Sequence, residues 1–176
     1  MAQSRYAEGF IRCVEGRHQE GYEAMDRATS DPNFAAAHAQ KANQLVRLGR
    51  AREALPVARH AVELAGPYDQ STGVVYWVLG RAYFVLKDYD DAIHWLQRSV
   101  DKRGNLWFSG AFLVAGYALA GRLEAAHEAL RQFYGRGFGW YTPQRIAEIY
   151  ATELPNNDQL RHEVLFRGLE LAGAGH

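Results

Sequence analysis

The chain has 176 residues, with 20 Lys and Arg against 20 Asp and Glu, so its formal net charge is zero. Hydrophobic residues make up 48% and charged residues 23%, the composition of a globular chain long enough to bury a sizeable core. This balance excludes a highly charged disordered chain and gives no bulk electrostatic reason for a nucleic-acid or anionic-membrane partner.

A glycine-led loop recurs along the chain. Its weak first copy is Gly16-Arg-His-Gln-Glu-Gly21, followed by Gly49-Arg-Ala-Arg-Glu-Ala54, Lys87-Asp-Tyr-Asp-Asp-Ala92 and Gly121-Arg-Leu-Glu-Ala-Ala126. The residues closing these segments are spaced by 33, 38 and 34 positions, and the longest interval holds the turn-rich Gly66-Pro-Tyr-Asp-Gln-Ser-Thr-Gly73. The first unit, about 2–33, has Gly9, Gly16, Gly21 and Ala28 ahead of Asp31-Pro32. The second, about 35–67, carries Ala35, His38, Ala42, Leu45 and Leu48 before its loop, then Ala54, Ala58, Ala61 and Leu64 after it. The third, about 73–106, carries Tyr76, Leu79, Gly80, Tyr83 and Leu86, then Ala92, Ile93, Leu96 and Val100. The fourth, about 107–138, carries Phe112, Leu113, Gly116, Tyr117 and Leu119, then Ala126, Ala129, Leu130 and Phe133.

Apolar residues at every third or fourth position have a helical period. Each unit is therefore predicted to be an antiparallel helix pair of about 34 residues, stacked on its neighbours. Beyond Phe138 the register fails. Thr142-Pro143 offers a hydroxyl cap and a proline at the first helical position, predicting a helix over about 142–154 with Ile146, Ile149, Tyr150 and Leu154 on one face, ending at Pro155. Asn156-Asn157-Asp158 offers another cap, and Leu160, Val164, Leu165, Leu169 and Leu171 predict a last helix over about 157–172, stopped by Gly173. These two helices are expected to cap the stack, within one domain spanning 1–176.

The repeat resembles the tetratricopeptide repeat family. In the third unit Tyr76, Leu79, Gly80 and Tyr83 stand where the family has its large, Leu, small and aromatic residues, and Tyr89, Ala92 and Leu96 match its second helix. Lys87 in place of the loop glycine, Ser99 in place of the late alanine and Gly104 in place of the closing proline depart from it. The resemblance covers roughly residues 2–138 and implies an all-α, right-handed α-solenoid of about four helix pairs with a two-helix C-terminal cap. The final Leu169-Glu-Leu-Ala-Gly173 also resembles the end of tetratricopeptide regions attached to bacterial class III adenylate cyclases or winged-helix transcription regulators. That similarity implies an alternative, a regulatory or sensory segment of such a protein.

No complete catalytic or metal-binding constellation stands out. Gly135-Arg-Gly-Phe-Gly139 lacks the strand and the Gly-Lys-Ser/Thr of phosphate loops. Pairs His127-Glu128 and His162-Glu163 lack the second histidine of zinc hydrolases, because Arg131 and Phe166 stand there. The one cysteine, Cys13, excludes an intramolecular disulfide and reads as a buried thiol. No run reaches the roughly 20 apolar residues that span a bilayer, and the N-terminus has no apolar signal core. The expectation is a cytoplasmic, non-enzymatic protein with no cofactor, metal, nucleic acid or membrane partner.

The family resemblance places a concave groove along the first helix of each pair, and helical offset from the core stripe agrees. Candidate partner-binding residues are Tyr6 and Phe10, then Asn43 with Val46, then Trp77, Arg81 and Phe84, then Phe108 with Ala111. Aromatics with Arg are common interface anchors, although the same residues could instead pack against the tail. The family's carboxylate clamp is matched only at Asn43, with Ala39, Val78, Phe108 and Phe112 at the other positions, which favours an apolar or mixed peptide over an acidic one. The expected partner is a protein or peptide in the groove, or a second copy of the chain.

Overall fold

The computed structural model describes residues 1–66, 69–153 and 164–174. The predicted features at Pro67, Leu154, Pro155, Asn156-Asn157-Asp158, Leu160 and His162-Glu163 lie outside them. The described residues form helices and no strand: α1 (Ala2–Val14), α2 (His18–Ala28), α3 (Ala35–Arg47), α4 (Ala51–Leu64), α5 (Thr72–Val85), α6 (Tyr89–Lys102), α7 (Trp107–Leu119), α8 (Leu123–Phe133), α9 (Pro143–Glu153) and α10 (Leu165–Leu171). Helices α1/α2, α3/α4, α5/α6 and α7/α8 pair, and the second helix of each pair packs on the first helix of the next. First helices also touch each other, α3 with α5 and α5 with α7. This is the expected all-α solenoid of four stacked pairs.

In the third pair the two helices bury different amounts of themselves because they have different numbers of neighbours. Helix α5 buries every residue from Trp77 to Phe84. Its partner α6 buries one stripe, Ala92, Ile93, Leu96, Ser99 and Val100, and turns the remainder to water. Close approach within the third pair depends on Gly80, where a Cβ would meet Leu96 Cγ at 2.8 Å. The departure at Ser99 has a local reason. Its buried hydroxyl donates to the Gly73 carbonyl at 2.6 Å, which leaves Ser109 Oγ to donate to Ser99 Oγ at 2.8 Å and ties α6 to α5 and α7.

The recurring loop is a helix C-cap of one geometry. Gly16, Gly49 and Gly121 have φ of 76°, 77° and 75°, and Lys87 takes the same left-handed conformation at 64°. The next N–H in each case reaches back five residues, as in Arg50 N–H to Leu45 O at 2.8 Å and Asp88 N–H to Tyr83 O at 3.0 Å. This is the Schellman closure, which satisfies carbonyls left open at a helix end. Lysine carries a Cβ that clashes in this conformation.

Helix α10 packs on α7 and explains the Leu-x-x-Ala-Gly finish locally. Leu169 and Ala172 are buried, and Gly173 has φ 76°, with Ala174 N–H closing onto Leu169 O at 3.0 Å. A Cβ on Gly168 would lie 2.8 Å from both Cα and the carbonyl oxygen of Ala115. Backbone at that distance cannot rotate aside.

Two outcomes follow from these contacts. Lys87→Gly should raise unfolding free energy by about 1 kcal/mol, read as a higher urea midpoint at unchanged slope; a lower midpoint contradicts the shared cap geometry. Gly168→Ala should lower stability by about 1–3 kcal/mol, with amide protection lost in α10 while α3 to α6 keep theirs.

Candidate interaction groove

One cavity of about 530 Å³ lies along the first helices, within the range of about 300–1,000 Å³ usual for ligand sites. Phe10, Cys13 and Val14 line it from α1, Gln40, Asn43, Gln44 and Arg47 from α3, Val74, Trp77 and Arg81 from α5, and Trp107 and Phe108 from α7. Ile149 of α9 completes the wall. A larger depression of about 810 Å³ sits over the repeat loops around Lys87, Gly121 and Arg167, with Tyr89 its single aromatic. The groove differs from it in combining several aromatics with converging polar groups.

At the centre Arg81, 1% exposed, donates from Nη1 to Asn43 Oδ1 at 2.5 Å. Its guanidinium also lies 5.4 Å from the centroid of the Trp77 ring, a cation–π distance. Asn43 in turn donates from Nδ2 to Gln40 Oε1 at 3.3 Å. Thus α3 and α5, whose residues 43 and 81 are 38 apart in sequence, are locked by a polar contact inside an apolar wall. Trp77 leans on Phe108 with centroids 4.4 Å apart. Trp107 beside it stacks flat on Tyr141, at 4.4 Å and 6°. Two polar atoms in this wall, Trp77 Nε1 and Gln44 Oε1, are buried without a hydrogen-bond partner among the described residues.

Phe10, Asn43, Trp77, Arg81 and Phe108 therefore line the cavity as the sequence suggests. Three other placements correct the expectation. Phe84 is 0% exposed and packs edge-on against Phe112 at 4.9 Å and Tyr89 at 5.8 Å, so it is core. Val46 and Ala111 are equally buried and lie off the cavity wall. Tyr6 sits outside the cavity and rests on Phe34, with centroids 5.1 Å apart, joining the first pair to the second. For Phe84, Val46 and Ala111 the reason is that on a helix buried almost all round, angular offset from a core stripe no longer separates groove from interior; Tyr6 lies on α1, which buries only Gly9, and is turned to Phe34 instead. Cys13, Gln40, Arg47 and Val74 lie one helical turn from named residues, so extending the same stripe would have found them. Ile149 had no such signal, because it comes from outside the repeats.

Burial pushes the Cys13 thiol up to about 11, against an opposing pull from Arg47. Burial likewise raises the Tyr6 phenol, with a smaller contribution from Cys13. Cys13 is half-buried, not fully buried as the sequence suggests, and its raised pKa keeps the thiol protonated at neutral pH. Among the described residues no group of three or more His, Cys, Asp or Glu could hold a metal ion. No helix among them is long and apolar enough to cross a membrane.

Residues 33–103 match the family model of the tetratricopeptide repeat. This segment is made of tetratricopeptide repeats. Solved structures extend the fold along the chain. TTC0263, a thermophilic tetratricopeptide repeat protein of Thermus thermophilus, is 20% identical, with 99% of this chain and 98% of its own covered at a TM-score of 0.69. Residues 41 to the end of MamA from Desulfovibrio magneticus RS-1 are 20% identical, with 78% and 76% covered at 0.65. YrrB, described as a tetratricopeptide repeat protein with an unusual peptide-binding site, is 17% identical, with 98% and 84% covered at 0.63. No curated protein matches the sequence.

The reactivity of Cys13 checks the groove's burial. Alkylation of the native protein should rise with pH until about 11, and in denaturant should level off near the ordinary value of 9.0. A native profile levelling at or below 9.0 contradicts a thiol desolvated by the groove wall.

Proposed function

We propose that this chain is a non-catalytic scaffold or adaptor whose tetratricopeptide groove binds a segment of another protein. The observation that carries the reading is a cavity of about 530 Å³ whose wall combines the aromatics Phe10, Trp77, Trp107 and Phe108 with the polar side chains of Gln40, Asn43 and Arg81. Aromatics and arginine are the residue types that anchor interfaces. The fold it shares with YrrB, itself described as having a peptide-binding site, supports the same reading. With no convergent nucleophile and base in the wall, binding rather than turnover is the chemistry these residues support.

The partner expected is an apolar or mixed segment. A random-peptide library displayed against the protein should yield such segments. Trp77→Ala and Phe108→Ala should each weaken the selected peptide by about tenfold or more, at unchanged helical circular dichroism. Equal affinity in both variants would move the binding face elsewhere.

A further inference from the structure

We infer that the outward face of α1 is a dimer interface, closed by α1 of a second copy of this chain about a two-fold axis. This surface is separate from the groove reading and does not depend on it. The repeat register says what the face is built to meet. Counted back from the left-handed cap residues at 16, 49, 87 and 121, Ile11 stands level with Gln44, Ala82 and Gly116, and Ala7 with Gln40, Val78 and Phe112. Those positions look toward the preceding pair. A Cβ on Gly116 would meet Ile93 of α6 at 3.3 Å, and Phe112 packs on Phe84 of α5 with centroids 4.9 Å apart. Gln44, Ala82 and Gly116 are accordingly all buried. In α1 the same face is open: Ile11 is 56% exposed, Val14 one turn on is 74% exposed, and Ala7 is exposed beside them.

The other end of the stack is finished differently. Tyr22, Leu55 and Ile93 stand six residues after the caps in the first three second helices, and Ile93 is the residue that meets the next pair. In α8 that position is His127, exposed among Glu124, Glu128 and Arg131, while α10 covers α7. A polar outer face is how a terminal repeat stays in water. Head-to-tail stacking of copies would need an apolar face at this end and would grow filaments. The His127 end does not offer one, so within this chain the α1 face is matched only by itself, and a face that matches itself closes as a pair. Its stripe suits that geometry. Ala7, Ile11 and Val14 recur at i, i+4 and i+7, so two α1 helices crossing antiparallel set Ile11 of one copy against Val14 of the other. Charge does not oppose the contact. Arg12 lies 3.8 Å from both Glu8 and Glu15 and the chain has no net charge, so neither the face nor the molecule repels a like copy.

One helix against another buries less than the roughly 1,200–2,000 Å² of stable complexes, so the dimer is weak, with a dissociation constant on the order of 0.1 mM. In sedimentation equilibrium of the full chain between about 10 μM and about 1 mM, the mean mass should climb from monomer toward dimer and stop there. Ile11→Asp should weaken the association about tenfold or more at unchanged helical circular dichroism. A wild-type chain that stays monomeric across that range, grows past the dimer, or pairs no better than Ile11→Asp overturns the interface. Trp77→Ala should dimerise as the wild type does, so failure of the groove to bind peptide and failure of the dimer are separate results. A second measurement leaves Ile11 in place. A spin label on Glu8→Cys in a Cys13→Ser background, mixed with isotope-labelled wild-type chain, should broaden the α1 amides of the labelled copy. Broadening centred on α8, the sign of a head-to-tail contact, or broadening of no helix overturns the dimer.

Discussion

A pair of helices about 34 residues long has too little interior to bury its own apolar surface, and that constraint organises the molecule. Stacking supplies the missing interior. The inner first helices α5 and α7 therefore have neighbours on both sides and carry apolar residues almost all round, as α5 does from Trp77 to Phe84. Second helices have one inward stripe and a wet face. The same constraint fixes the loops, because each pair must reverse direction in the same way to stay in phase with the next. Four Schellman closures at 16, 49, 87 and 121 share one left-handed residue, and the chain keeps the geometry at Lys87 even without glycine.

The repeat was legible in the sequence because its signals are local. Loop glycines, the small residues Gly80 and Ala92 and the aromatic Tyr76 each report a short-range demand: a positive φ, a close crossing, a gap to fill. Ser99 and Lys87 looked like departures and turn out to occupy the same positions by other means, one through a buried hydroxyl bond and the other through strain. The site was legible in part. Phe10, Asn43, Trp77, Arg81 and Phe108 line the groove, but Phe84 does not, since periodicity says how a helix is oriented only where one of its faces is wet, and Tyr6 does not, since it is taken up by Phe34 of the next unit. The position of α9 across the groove is a tertiary fact. Nothing in the spacing of Ile146 and Ile149 says which surface they cover.

A guanidinium inside an apolar wall is costly unless it is paired, and Arg81 meets Asn43 Oδ1 and the Trp77 ring there. The contact also fixes the spacing of α3 against α5, the two helices whose separation sets the groove width. Cys13 adds shape to this surface, with its thiol held protonated at neutral pH.

Whether the groove between the first helices is the working face can be read from the four indole N–H resonances of the isotope-labelled protein. Trp77 and Trp107 lie in the groove wall, Trp95 stacks with Tyr76 and Arg98 on the outer pair surface, and Trp140 is exposed in the α8–α9 connection. On titration with a bound peptide the Trp77 and Trp107 signals should move while Trp95 stays in place. Movement of Trp95 with Trp77 and Trp107 unchanged would put the working face on the outer surface instead.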